Sequence, residues 1–80
     1  MKLVFVEWLD SSQGTRWITL SELKEEARPL TCRSVGWVVK NTKKSLTLAP
    51  HLADDPDQCC GDMTIPRKAI VRIVPLKEPK

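Results

Sequence analysis

The chain has no tyrosine, one histidine, only three cysteines and no long apolar run. Each shortage excludes something. The longest uninterrupted apolar stretch, Leu3–Val6, is far shorter than the roughly 20 residues of a membrane span and shorter than a signal-peptide core, so a cytoplasmic protein without membrane contact is expected. Cys32, Cys59 and Cys60 are odd in number and accompany no secretory signal, so they do not form a disulfide framework and should be reduced thiols. His51 is the only histidine, and nothing beside it marks a nucleophile, an orienting acid and an oxyanion donor, so no enzymatic activity is expected. A Cys₃His zinc set of Cys32, His51, Cys59 and Cys60 lacks the usual C-x₂₋₄-C knuckle, and adjacent cysteines direct their side chains differently. Asp54, Asp55 and Asp57 lack the glycine and terminal glutamate of a calcium loop. No metal and no cofactor is therefore expected.

What is present is a β pattern centred on Cys32–Leu48, where two alternating runs flank the polar loop Asn41–Ser45 in the manner of an antiparallel hairpin. Val35, Trp37 and Val39, continued by Leu46 and Leu48, define the expected apolar face. A lone hairpin is marginal in water, so other segments must cover that face. Leu3–Leu9 reads as a first strand, and Asp10–Gly14 as the turn that ends it. Thr19 and Glu22 form a T-x-x-E capping box that starts a helix at Leu20. Leu20, Leu23 and Ala27 share one side, and Pro29 stops the helix after Arg28, which gives an amphipathic cover for one end of a small barrel.

Pro50–Gly61 reads as a long irregular loop, Met63–Ile65 as a short strand, Pro66–Ala69 as one tight helical turn and Ile70–Val74 as the last strand. From Pro75 the chain should leave the sheet. The expectation is one domain over residues 1–76 with a fraying tail at 77–80. Its class is mainly β with one helix: a five-strand small open β-barrel with the helix between strands 1 and 2. Eighty residues bury little surface, so closure of a barrel or homo-oligomerisation through the unblocked edges of the last two strands would stabilise it.

A net charge of +3 alone does not imply a polyanionic partner. The distribution is more informative. Asp54, Asp55, Asp57 and Asp62 lie in one loop, while Arg33, Lys40, Lys43, Lys44, Arg67, Lys68 and Arg72 come from the sheet and its turns.

Arg67-Lys68-Ala69-Ile70 followed by Val71-Arg72-Ile73-Val74-Pro75 resembles the end of the bacterial Hfq RNA chaperone family, which carries Lys-His-Ala-Ile and then a Val-Val-Pro ending. Gly36 falls where the wider Sm-like family has a glycine that lets a long strand bend. The resemblance covers about half the chain, and the helix between the first two strands is closer to an elaborated SH3-like barrel. The chain is also similar in style to small bacteriophage accessory proteins. The resemblance implies that Arg67 and Lys68 stand where the family places a basic pair at the rim of a ring pore. Pro66 replaces the aromatic before that pair and Lys68 replaces its histidine, so two cations for phosphate are implied in place of a base reader.

Trp8 and Trp37 lie on strands and read as core, with indole N–H groups meeting backbone carbonyls. Trp17 sits beside Arg16 before the helix, where it either packs beneath it or contacts a ligand. The reading is a non-enzymatic binding protein that holds nucleotide or nucleic-acid phosphate on Arg67, Lys68, Lys40, Lys43 and Lys44, with Trp17 as an accessory contact. The alternative is a protein-binding module that captures a partner through an exposed apolar patch or strand edge.

Overall fold

A computed structural model describes residues 1–79; Lys80, the end of the expected fraying tail, lies outside the described residues. The protein is mainly β with one helix, and the helix lies between the first two strands. Strands β1 (Leu3–Asp10), β2 (Leu30–Asn41), β3 (Ser45–Ala49), β6 (Met63–Pro66) and β7 (Ile70–Leu76) form an antiparallel sheet in the order β6-β3-β2-β1-β7. β4 (His51–Ala53) and β5 (Gln58–Cys60) form a separate hairpin, and α1 spans Leu20–Glu26. The sheet does not close. β6 and β7 each pair on one side only and are the edges of the sheet, and both carry edge-type residues: Pro66 in β6, Arg72 and Pro75 in β7.

The hairpin expected at Cys32–Leu48 forms, and Leu46 and Leu48 are buried as expected, but on β2 the buried face is the opposite one. Pairing sets Val4 against Gly36, Val6 against Ser34 and Trp8 against Cys32. Val4, Val6, Leu46, Leu48 and Ile65 make the core, flanked by Trp8, Val38, Ala69 and Ile70. Val35 and Val39 are exposed. β2 carries valines on both of its faces, so alternation alone left the choice open, and the partner strands made it. Space is the physical reason: a Cβ on Gly36 would stand 3.0 Å from the Ala49 carbonyl oxygen and 3.2 Å from Leu48 Cβ, so only glycine admits β3 this closely. A bulge at Val39, between Val38 and Lys40, then shifts the phase so that Asn41, not Lys40, lies opposite Leu46.

Other boundaries moved for local reasons. Pro75 does not end the sheet: it pairs with Val4, and Leu76 pairs with Leu3, because proline is tolerated on an edge strand bonded from one side. The stretch read as one irregular loop contains the β4–β5 hairpin, whose exit turn places Gly61 at φ +77. The tight turn after Pro66 is a 3₁₀ helix at Arg67–Ala69. Cys32, Cys59 and Cys60 are free thiols. Among the described residues no helix is long and apolar enough to cross a membrane.

The helix is where the expectation failed most. Its start is as read, with Thr19 Oγ1 accepting from the Glu22 amide at 3.2 Å. It ends at Glu26, two residues early, because Pro29 biases Arg28 toward extended backbone and Ala27 is already extended. It covers nothing in its own chain: none of its residues is buried, and Leu20 is 76% exposed. The β1–β2 ladder runs out to the pair Asp10–Leu30, which carries residues 11–29 away from the core as an arm. Trp17, at the arm's surface, is fully exposed and does not pack beneath the helix.

The other tryptophans have polar anchors. Trp8 packs against the core and its Nε1–H donates to Ser34 Oγ at 3.0 Å, a side-chain hydroxyl where a backbone carbonyl was expected. Trp37 lies on the outer face and donates to Glu78 Oε1 at 2.7 Å, which ties the C-terminal segment to the sheet.

Candidate basic site

The β2–β3 turn is built by one hydroxyl. Thr42 Oγ1 accepts from the amides of Lys44 (3.2 Å) and Ser45 (3.1 Å), and the Thr42 amide donates to the Ser45 carbonyl at 2.9 Å. Such a turn is compact because a threonine hydroxyl replaces a backbone partner. The amides of Thr42, Lys44 and Ser45 are used internally, which leaves Lys43 and Lys44 to offer their side chains.

Arg67 joins this turn to the start of the 3₁₀ helix. Its amide donates to the Lys44 carbonyl at 2.9 Å, its Nε to the Thr42 carbonyl at 3.2 Å, and its Nη2 to Asn41 Oδ1. Pro66 stiffens the chain just before it. Arg67 is half-buried and Lys68 beside it is exposed. Of the residues read as a phosphate site, Arg67, Lys68, Lys43 and Lys44 therefore meet at one end of the sheet, and Lys40 lies on the adjoining end of β2, opposite Thr47. Thr47 and Thr64 add hydroxyls 2.9 Å apart on the same outer face.

Charge at this end is uncompensated. Among the described residues, the ion pairs are Arg16–Glu26, Arg33–Glu7 and Arg72–Glu7, and none involves Lys40, Lys43, Lys44, Arg67 or Lys68. Arg33 and Arg72 belong elsewhere. They flank Glu7 at 3.9 and 3.8 Å from neighbouring strands, and the Arg72 guanidinium sits 5.7 Å from the Phe5 ring centroid.

Comparison with family models, curated proteins and solved structures found no match. The site is therefore read from its own geometry.

Trp17 is not part of it. Nine residues of β2 separate Leu30 at the base of the arm from Lys40, roughly 30 Å of strand. Asn41 and Thr42 are the site residues that the sequence reading did not single out. The available signal was their place in the Asn41–Ser45 loop, but only the fold shows that the loop meets Arg67. Among the described residues no cluster of three or more His, Cys, Asp or Glu side chains is placed to hold a metal.

Proposed function

We propose that the protein is a non-enzymatic binding protein that holds the phosphates of a single-stranded nucleic acid or nucleotide on Lys40, Lys43, Lys44 and Lys68, with Arg67 bracing the turn from which they project. One observation carries the reading: cations from two separate stretches, Lys40–Lys44 and Arg67–Lys68, converge on one end of the sheet without an acidic partner in an ion pair. Like charges gathered in this way repel one another, and an anion relieves that repulsion. Exposed lysines on turns act as mobile point charges, which suits a flexible phosphate backbone better than recognition of one base. The free edges of β6 and β7 support the idea that several copies assemble and repeat the cluster. A ring of Sm-like or SH3-like subunits, which the C-terminal motif resembles, and a bacteriophage accessory protein are the kinds of protein this reading proposes.

The protein-binding alternative rests on a different observation, the exposed apolar side chains of the arm. Binding of labelled single-stranded RNA and DNA oligonucleotides, and of a labelled nucleotide, to the wild type and to Lys43→Ala/Lys44→Ala/Lys68→Ala separates the two. Loss of three phosphate contacts should weaken binding at least tenfold at low salt. Equal binding by the two proteins, or none by either, rejects the phosphate reading.

A further inference from the structure

The sequence encodes a cover, and the chain does not use it. α1 is capped at Thr19 and carries Leu20 and Leu23 on one side, yet it buries no residue. The arm is nonetheless shaped: Ser12 Oγ donates to the Arg28 carbonyl at 2.8 Å, Arg16 pairs with Glu26 at 3.5 Å, and Ala27 N–H donates to the Leu23 carbonyl at 2.8 Å. A helix of seven residues is far too short to persist by propensity alone, so its apolar side needs something to pack on. The protruding group is a pair: Trp17 fully exposed, and Leu20 three residues on.

At the other end of the sheet the opposite problem appears. Because the sheet does not close, its core face opens into an apolar cleft of about 560 Å³ whose lining includes Val4, Val38, Leu46, Ile73 and Pro75, with Lys2 at its edge. Cavities of roughly 300–1,000 Å³ lined this way are the size that takes a large apolar group, and an indole brings roughly 150–250 Å² of surface to bury.

We infer that the arm of one copy docks in this cleft of a second copy, with Trp17 and Leu20 as the inserted side chains. Its own cleft is out of reach. β1 runs from Leu3 beside the cleft to Asp10 at the arm's base, which places the two about 23 Å apart before the arm begins. Charge favours the pairing. Residues 10–29 hold four acidic and three basic residues, a net of −1, so the remainder of the +3 chain carries +4. The cleft rim itself carries both signs, Lys2 and Glu78, so the attraction comes from the net charges of arm and body and not from a single facing pair. Two copies exchanging arms reciprocally form a closed twofold dimer in which each contact occurs twice.

The test is self-association of the full chain, followed by light scattering from about 1 μM to about 1 mM, the range in which contacts of this size saturate. The wild type should dimerise. Trp17→Ser/Leu20→Ser should weaken dimerisation at least a hundredfold while the protein melts as the wild type does at low concentration, since neither side chain is buried in the monomer. Ile73→Glu in the cleft should do the same, with Ile73→Ser in its place if the charge lowers melting. Mixing the arm variant with the cleft variant should restore one of the two contacts, so the mixture should associate more tightly than either variant alone and more weakly than the wild type. A strict monomer overturns the inference, as does an oligomer indifferent to the arm variant, which would place assembly on the strand edges. A mixture that stays monomeric, or an arm that binds only a foreign protein, also overturns it.

Discussion

Arg67 and Lys68 are adjacent cations, yet replacing them should give different results. Arg67 donates through Nε and Nη2 to Thr42 and Asn41, whereas among the described residues the Lys68 side chain makes no hydrogen bond or ion pair. A hydrogen bond from a charged donor is worth about 1.5–3 kcal/mol when well made. Both bonds are exposed to solvent, so the pair together should contribute about 1–2 kcal/mol. In a domain of this size 1 kcal/mol moves the melting temperature by about 4–8 °C, so Arg67→Ala should melt about 4–16 °C lower. Lys68→Ala should stay within about 0.5 kcal/mol of the wild type. Arg67→Lys keeps the charge but not the planar fork, and should melt almost as low as Arg67→Ala while retaining most phosphate affinity. Thermal unfolding followed by tryptophan fluorescence, paired with oligonucleotide titration, reads both effects. If Arg67→Ala melts with Lys68→Ala, the bracing role assigned to Arg67 is wrong.

Gly36→Ala should destabilise by about 1–3 kcal/mol, because its Cβ meets β3 backbone that cannot retreat, while Gly14→Ala, with nothing within 4 Å, should be neutral or slightly stabilising. Urea unfolding of the two variants checks the contrast, and equal midpoints would remove the close-approach argument. Trp8→Phe should cost about 1 kcal/mol by leaving Ser34 Oγ without its indole donor, measured in the same way. Replacing Cys59 and Cys60 together by serine should change stability by less than about 0.5 kcal/mol, since both are exposed on the β4–β5 hairpin. Bound zinc in the purified protein, or unfolding on chelation, would show that these thiols do more.

Element type was legible wherever a local signal was strong. The capping box located the helix start, and the alternating runs located the strands of the sheet. What failed needed tertiary information. Which face of β2 is buried depends on register with β1 and on the space that Gly36 leaves for β3. Where α1 lies depends on how far the β1–β2 ladder continues before the arm begins, and no local pattern encodes that length. The basic site was half legible: Arg67, Lys68, Lys43 and Lys44 could be named from the sequence. Their convergence, the bracing by Asn41 and Thr42, and the diversion of Arg33 and Arg72 to Glu7 are products of the fold.

The phosphate reading makes a quantitative demand on salt. Four exposed lysines, Lys40, Lys43, Lys44 and Lys68, each meeting one phosphate of a single strand should give a slope of log K against log salt of about −3. The decisive measurement is the affinity of a labelled single-stranded oligonucleotide across a salt series, for the wild type and for the variant with Lys43, Lys44 and Lys68 replaced by alanine. The account predicts a slope near −3 for the wild type and near −1 for the variant. A flat dependence, the same slope for both proteins, or no binding at the lowest salt would contradict it.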